Sequence, residues 1–354
     1  MWRKVKVKFI LISLMSLIAL ASFVSGAYLS LRSVQFQPLH VEKKERVRIQ
    51  PGDSLNTVAY ELYNKKILNY PRLWVFWAWL HGKSRLVQAG DYSITPGLSA
   101  EALLVKMVTG DVLHYDFTII PGWTLQQLLA ALNQDPNLDH ELTGLSTGQV
   151  MAKLGLAGLD GQGQFFPETY RFLGQTSDLD ILKRAHKLLV KRLAKAWRHR
   201  AVGLPLNNPE EALILASLVE REGRLNRERP LIASVFYNRL AKNMRLQTDP
   251  SVIFAMGDKY QGKITRKDLR IDSPYNTYRY KGLPPGPIAM VSEASLLATL
   301  HPLNTPYFYF VARGDGSHVF SKTLKEHNRA VKRYILDAKA RPFTWRDLLL
   351  QKTA

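Results

Sequence analysis

An α+β fold behind a single membrane-spanning helix is what this sequence predicts, and three observations predict it. Residues 9–31 carry no charge and follow Arg3, Lys4, Lys6 and Lys8. A cassette in which a β-rich segment ends at Pro-Gly and leads into an amphipathic stretch occurs three times before residue 130. Beyond Gly161, helical patterns alternate with loops rich in aromatic residues and proline. The chain accordingly divides into a tail over 1–8, an anchor over 9–31, a tether over 32–45, a small α+β unit over 46–112 and a larger α+β domain over 113–345.

The uncharged run of about 23 residues is long enough to cross a hydrocarbon core of about 30 Å as a helix. Basic residues ahead of it keep the N-terminus cytoplasmic and place everything after it on the other side. Ser25, Gly26 and Ala27 are small residues at which a signal peptidase can cut, but the length of the run favours an uncleaved, single-pass anchor in the cytoplasmic (inner) membrane. In either case the folded part is exported; the inner membrane as the site of the anchor is what the family resemblance described below implies. The segment 32–45, polar, with Pro38 and the charged cluster Glu42, Lys43, Lys44, Glu45 and Arg46, suits a tether.

A hydrophobic fraction of 46% and a charged fraction of 22% are those of a folded chain. The sequence has no cysteine, which excludes disulfides, thiolate metal sites and a cysteine nucleophile. A net charge of +20 attracts nucleic acid, anionic lipid or acidic wall polymer. Export argues against nucleic acid and leaves membrane and wall as partners. Part of the charge lies in a predicted helix over 181–200. Leu182, Ala185, Leu189, Leu193 and Trp197 form its apolar stripe, and Lys183, Arg184, Lys187, Lys191, Arg192, Lys195 and Arg198 cover the rest.

The three cassettes are Val47-Arg48-Ile49-Gln50 into Pro51-Gly52-Asp53-Ser54-Leu55, Tyr92-Ser93-Ile94-Thr95 into Pro96-Gly97-Leu98-Ser99, and Phe117-Thr118-Ile119-Ile120 into Pro121-Gly122-Trp123-Thr124-Leu125. Each reads as strand, tight turn and helix. Proline and glycine preset the turn, and Ser54, Ser99 and Thr124 are N-caps. Plain βα junctions explain this pattern. The first cassette also resembles the opening of a LysM domain, which binds N-acetylglucosamine polymers. Leu73 to Leu80, with Trp74, Phe76, Trp77 and Trp79, exceeds what such a unit needs and reads as a packed helix.

Chemistry concentrates further on. Asn208-Pro209-Glu210-Glu211 is a full helix start, with an N-cap, a proline at the first position and two acids at the positive dipole end. The helix stops at Gly223. Leu215, Leu218, Val219 and Glu222 stand at i, i+3, i+4 and i+7, so Glu222 prolongs the apolar face, whereas Glu220 points about 200° away. A carboxyl set among apolar neighbours near the negative end of a helix dipole holds its proton towards neutral pH, as a general acid must. An ion pair between Glu222 and Arg224 or Arg239 is the plainer alternative. The segments 244–252, 273–278 and 282–288 bring amides, hydroxyls and tyrosines into rigid loops, which suits sugars. No HExxH, Walker or GxGxxG pattern occurs, and His301, His318 and His327 lack ligand spacing, so neither metal nor cofactor is implied.

Taken in order, Phe165-Phe166-Pro167-Glu168-Thr169-Tyr170, Ala216-Ser217-Leu218-Val219-Glu220-Arg221-Glu222, Val235-Phe236-Tyr237-Asn238-Arg239-Leu240, Leu246-Gln247-Thr248-Asp249-Pro250, Ser273-Pro274-Tyr275-Asn276-Thr277-Tyr278, the loop 282–288 and Glu326-His327-Asn328 resemble the YceG-like endolytic murein transglycosylase (MltG) family. After Ile288 the family usually turns through Asn/Thr-Pro-Gly, where this chain has Met290-Val291-Ser292. The resemblance implies cleavage of the MurNAc–GlcNAc bond of nascent peptidoglycan strands without water, giving 1,6-anhydroMurNAc ends. It also implies contact with peptidoglycan synthases. One glutamate serves as acid and then base: Glu222 by helix face and by likeness to the Glu-Ser of other lytic transglycosylases, with Glu220 as the fallback. Gln247, Asp249, Tyr275 and Asn276 are the candidates for positioning sugar. Two other classes stay open, a water-using muramidase with Asp249 or Glu168 as second carboxylate, and a non-enzymatic wall-binding scaffold.

Overall fold

The computed structural model describes residues 2–337, so the last residues assigned to the larger domain, 338–345, lie outside the described part. Helices dominate, joined by three two-stranded sheets, and the chain forms two units. The first comprises the chain through Asp116 together with a return of residues 171–176, and the second comprises 117–170 and everything from Ser177.

The first unit begins with helix α1 (Trp2–Phe36), whose residues 11–33 form the apolar span. Strand β1 (Glu45–Ile49), helices α2 (Leu55–Asn64) and α3 (Pro71–Leu80), strand β2 (Gly90–Ile94) and helix α4 (Ala100–Thr109) follow. β1 and β2 pair antiparallel, with Val47 opposite Tyr92 and Ile49 opposite Gly90. Period-2 alternation puts Val47 and Ile49 on one face of β1. There they pack with Leu55, Val58 and Leu62 of α2, Trp74 of α3 and Leu103, Leu104 and Met107 of α4.

All three cassettes form as strand, turn and helix. Gly52, Gly97 and Gly122 take φ of 93°, 84° and 82°, the left-handed region that a Cβ disfavours. Ser54 and Ser99 accept amide hydrogens from Thr57 and Ala102, both at 3.1 Å, and Thr124 makes a full capping box with Gln127.

Where a tether is expected over 32–45, the chain is packed. α1 continues to Phe36, Gln35 hydrogen-bonds Glu101, and Leu39 is buried with its N–H on the carbonyl of Leu98 at 2.8 Å. Proline and charge suggested an open linker, but backbone hydrogen bonds and one leucine in the core decide otherwise.

The return segment completes the first unit. Asp91 is buried on β2, and Arg48 meets it at 2.8 and 3.2 Å, the Tyr115 hydroxyl at 3.0 Å and Arg46 at 3.6 Å. Burial alone raises the pKa of Asp91. The bonds from Arg48 and Tyr115 and the charges of Arg48 and Arg46 outweigh it and hold the carboxyl below its ordinary value. Gly174 lies so close that a Cβ there would collide with the Asp91 carboxylate.

Strand β3 (His114–Thr118) carries the chain into the second unit and leads through the third turn to α5 (Leu125–Gln134) and α6 (Thr147–Lys153), and strand β4 (Thr169–Leu173) pairs with β3 as the chain enters the return segment. Then come α7 (Asp178–Arg198), α8 (Pro209–Glu222), α9 (Arg229–Ala241), α10 (Asp249–Met256) and α11 (Glu293–Leu300). The hairpin β5 (Tyr309–Ala312) and β6 (His318–Ser321) and helix α12 (Leu324–Val331) close the unit. α8 is its axis. Every residue from 212 to 219 is buried, so the one-sided stripe read from the sequence is widened to the whole circumference. α7 packs its apolar stripe as expected, and part of its basic face is occupied, with Arg184 over Tyr170, Arg192 over Phe166 and Arg192 paired with Glu293 at 3.1 Å.

Gly174→Ala tests the return segment. It forces Asp91 away from its partners, and chemical denaturation is expected to show a loss of about 1–3 kcal/mol, whereas alanine at Gly148, in helix α6 and with a negative φ, meets no neighbouring atom.

Candidate active site

The two acids at the end of α8 have different surroundings. Glu220 is an ion-pair residue. Arg229 meets its Oε1 at 3.0 Å, the Ser292 N–H donates to its Oε2 at 2.9 Å and the Ser292 hydroxyl donates to the same oxygen. Arg229 is itself tied to the carbonyl of Gly223 and to the Ser292 hydroxyl, both at 3.0 Å. This closed knot fixes the end of α8 against the start of α9 and the loop before α11.

Glu222 has no such partner. The plainer alternative named Arg224 or Arg239, and among the described residues neither pairs with it. The guanidinium of Arg239 donates to the carbonyls of Phe308 at 2.6 Å, Leu246 at 2.8 Å and Arg245 at 3.2 Å, and to Oε1 of Gln247 at 3.3 Å. Glu222 instead accepts one hydrogen bond, from the Thr248 hydroxyl to Oε1 at 2.5 Å. Loss of water around the carboxyl raises its pKa most, Asp249 raises it further, and the Thr248 bond and Arg221 pull it down. The net result is a carboxyl pushed up to about 7.

Thr248 is held by a hydroxyl network. Its N–H donates to the Thr277 hydroxyl at 3.0 Å, its carbonyl accepts from Ser251 at 2.7 Å, and the Ser251 and Thr277 hydroxyls lie 2.8 Å apart. The neighbouring Gln247 takes a left-handed φ of 50°, with its N–H on the carbonyl of Thr277 at 3.1 Å. Two loops, 245–249 and 275–278, are thereby locked together beside the end of α8.

The sugar-positioning candidates separate on this frame. Gln247 and Asp249 are exposed beside Glu222, and Asp249 accepts from the Tyr278 hydroxyl at 2.5 Å. Tyr275 is half-buried. Its ring lies 4.8 Å from that of Phe254, its hydroxyl donates to Asp160 at 3.3 Å, and burial first and Asp160 second push it up to about 12. Asn276 is fully buried, and its amide donates to the carbonyls of Leu269 at 3.1 Å and Ile271 at 2.8 Å, so it shapes the loop from within. Glu168, the other acid weighed as a second carboxylate, is exposed, bonds the N–H of Thr169 and is not among the groups acting on Glu222.

A cavity of about 740 Å³ opens alongside. Arg221 and Pro250, sequence neighbours of Glu222 and Asp249, line it with Thr124, Gln127, Asp160, Gln162 and Phe254. Its polar lining is amides, hydroxyls, carboxylates and the Arg221 guanidinium, and Phe254 offers a ring face. Ile288 also lines the cavity and leads into a packed loop: Ile288 to Val291 are buried, the N–H of Ile288 donates to the Ser217 hydroxyl at 2.9 Å, and Met290 exchanges backbone bonds of 2.8 Å with Gly122 and Trp123.

The YceG-like family matches residues 47–333. The chain belongs to the YceG-like family. It is 34% identical to a Bacillus subtilis protein named endolytic murein transglycosylase, over 88% of this chain and 91% of that protein. It is 27% identical to a Streptococcus pneumoniae protein of the same name, over 93% of this chain and 66% of that one. A crystal structure of a YceG-like protein from Listeria monocytogenes superposes with a TM-score of 0.55 at 32% identity, covering 82% of this chain and 99% of that one.

Thr248 and Tyr278 escaped the sequence reading although both stand inside the quoted motifs. Only the hydrogen bonds that place them mark them out, and sequence spacing carries no sign of those.

Two predictions follow from the raised pKa. Below the ordinary value of 4.5 both folded and unfolded chains hold the Glu222 proton. Between there and about 7 the unfolded chain releases it first, so this group lowers stability as pH rises, by about 3 kcal/mol in all once it has ionised. Glu222→Gln removes that slope, and unfolding midpoints measured at pH 5 and pH 8 are expected to differ less in the variant than in the parent. Thr248→Val deletes the bond that favours the charged form, and a carboxyl NMR titration of Glu222 is expected to move to higher pH.

Proposed function

We propose that this chain is an endolytic murein transglycosylase that cuts the MurNAc–GlcNAc bond of nascent peptidoglycan strands, leaves 1,6-anhydroMurNAc ends and so limits strand length. Membership of the YceG-like family and the names of its relatives support the reaction. The observation that carries the site assignment is the setting of Glu222, which is held by the Thr248 hydroxyl, forms no ion pair among the described residues and has its pKa raised by loss of water and by Asp249.

In the proposed mechanism the protonated Glu222 donates to the glycosidic oxygen as the bond from MurNAc C1 breaks, and GlcNAc leaves with that proton on its O4. The C6 hydroxyl of the same MurNAc then attacks C1 and gives its proton to the Glu222 carboxylate. The acid is restored, no water is consumed and no second carboxylate is required. A pKa near the working pH serves both steps, since the group must give a proton and take one back. Thr248 holds one carboxylate oxygen and leaves the other for substrate. Gln247, Asp249 and Tyr275 offer hydrogen bonds along the strand, and the cavity beside Arg221 receives a neighbouring sugar.

α1 is the anchor in this reading, with the N-terminus cytoplasmic and both units on the outer side of the inner membrane, within reach of newly made glycan and of the synthases that make it. The first unit serves as a LysM-like glycan-binding element. Its first cassette and compact α+β build support that role.

Mass spectrometry of chain ends, after the full chain acts on polymerised glycan, tests the proposal. Anhydro ends are expected, and Glu222→Gln should lower their rate of formation by about 10²–10⁴-fold. Glu220→Gln should mainly destabilise. Reducing muramic ends would point to hydrolysis with Asp249 as base, and anhydro ends that persist in Glu222→Gln would move the acid to Glu220.

A further inference from the structure

Helix α3 has apolar residues on both faces. Pro71, Trp74, Trp77 and Ala78 are buried in the first unit. The opposite face presents Leu73, Phe76, Trp79 and Leu80, with Phe76 47% and Trp79 64% exposed and their rings stacked at 5.8 Å. Arg72 is the one charged residue of this helix. A helix on the surface of a water-soluble unit turns a polar face outward, and this one does not.

What lies beside it indicates the occupant. The Trp77 ring is 6.0 Å from that of Tyr28 in α1. Gln35 and the indole N–H of Trp77, at 3.3 Å, both bond Glu101 of α4, which also pairs with Lys83 at 2.6 Å. α3 therefore packs on α1 close to where its apolar run ends, since Tyr28 precedes Leu31 by three residues, about 5 Å of helix rise. Tyrosine and tryptophan gather at that level, where an aromatic body meets acyl chains and a polar edge meets headgroups. Exposed Leu29 and Phe36 of α1 and Leu86 after α3 extend the apolar surface, and Arg32, Arg72 and the exposed Arg85 supply positive charge suited to anionic headgroups.

From this we infer that the outward face of α3, centred on Phe76 and Trp79, lies in the interfacial layer of the bilayer that α1 spans. The unit then has two points of membrane attachment, a spanning helix and an interfacial one, and cannot swing freely about the first. The inference rests on the reading of α1 as a membrane anchor.

The chain has no cysteine, so one introduced residue carries one label. The full chain is reconstituted in nanodiscs of phosphatidylethanolamine and phosphatidylglycerol with a nitroxide at Phe76→Cys or Trp79→Cys. Ala19→Cys within the span and Val202→Cys on a fully exposed loop serve as references. Relaxation by oxygen against a water-soluble nickel chelate reads depth. Labels at 76 and 79 are expected to favour oxygen, at a depth of about 5–10 Å, with 19 deeper and 202 in water. Labels at 76 and 79 that match 202 while 19 stays in lipid would overturn the inference and leave the anchor standing. A label at 19 in water would remove the anchor and the inference together. Spin–spin broadening between labels at 79 would assign the face to a second copy of the chain. Unchanged melting temperatures confirm that the variants fold.

Discussion

Two carboxyls stand two residues apart at the end of α8, one ion-paired and one with no ion pair among the described residues, and this contrast is the constraint on which the site in the second unit depends. An ionised carboxylate cut off from water is costly, and a protein can meet that cost by pairing the charge or by keeping the proton. Both solutions occur within one helical turn of α8. Glu220 is paired, and Glu222 is left to the proton. The separation depends on direction, because side chains two residues apart on a helix point to different sides. Glu220 faces Arg229 and Ser292, while Glu222 faces the loops around Thr248 and Thr277.

Each half supports the other. Glu220, the carbonyl of Gly223 and Ser292 hold the Arg229 guanidinium, and a cation released from that knot beside the end of α8 would add to the lowering that Arg221 already exerts on Glu222. Arg239 is restrained in the same way. It lies in the neighbourhood, but backbone carbonyls and Gln247 occupy its guanidinium and Tyr309 covers it at 5.1 Å. The loop Met290-Val291-Ser292 fits this plan, since Ser292 supplies two of the bonds to Glu220 and Met290 ties the loop to Gly122 and Trp123.

Much of this was legible in the sequence, for local reasons. The turn glycines, the N-cap residues and the start and stop of α8 were readable because each is decided by a few consecutive residues. That Glu220 and Glu222 face different surroundings followed from helical periodicity. What could not be read depends on contacts between distant segments. The return of residues 171–176 into the first unit hinges on Gly174 leaving room for Asp91, and a glycine between Leu173 and Gln175 announces nothing of that kind. Thr248 looks like any threonine before an Asp-Pro helix start until Thr277 and Ser251 fix its hydroxyl on Glu222. Asn276 has the right chemistry for a sugar ligand, but a side chain reading finds no difference between an amide that faces a groove and one that ties up its own loop.

The proposed reaction also explains why Asp249 can stand near the acid without serving as a second catalytic group. In a hydrolase with two carboxylates, the second must take a proton from water or attack carbon. When the nucleophile is the C6 hydroxyl of the sugar being cut, the acid itself is the nearest base, and a neighbouring carboxylate acts through its field. Asp249 raises the pKa of Glu222, and its hydrogen bond from Tyr278 holds it in place. One fixed carboxylate thus favours the proton on Glu222, which a lone acid in an apolar pocket would owe to the loss of water alone.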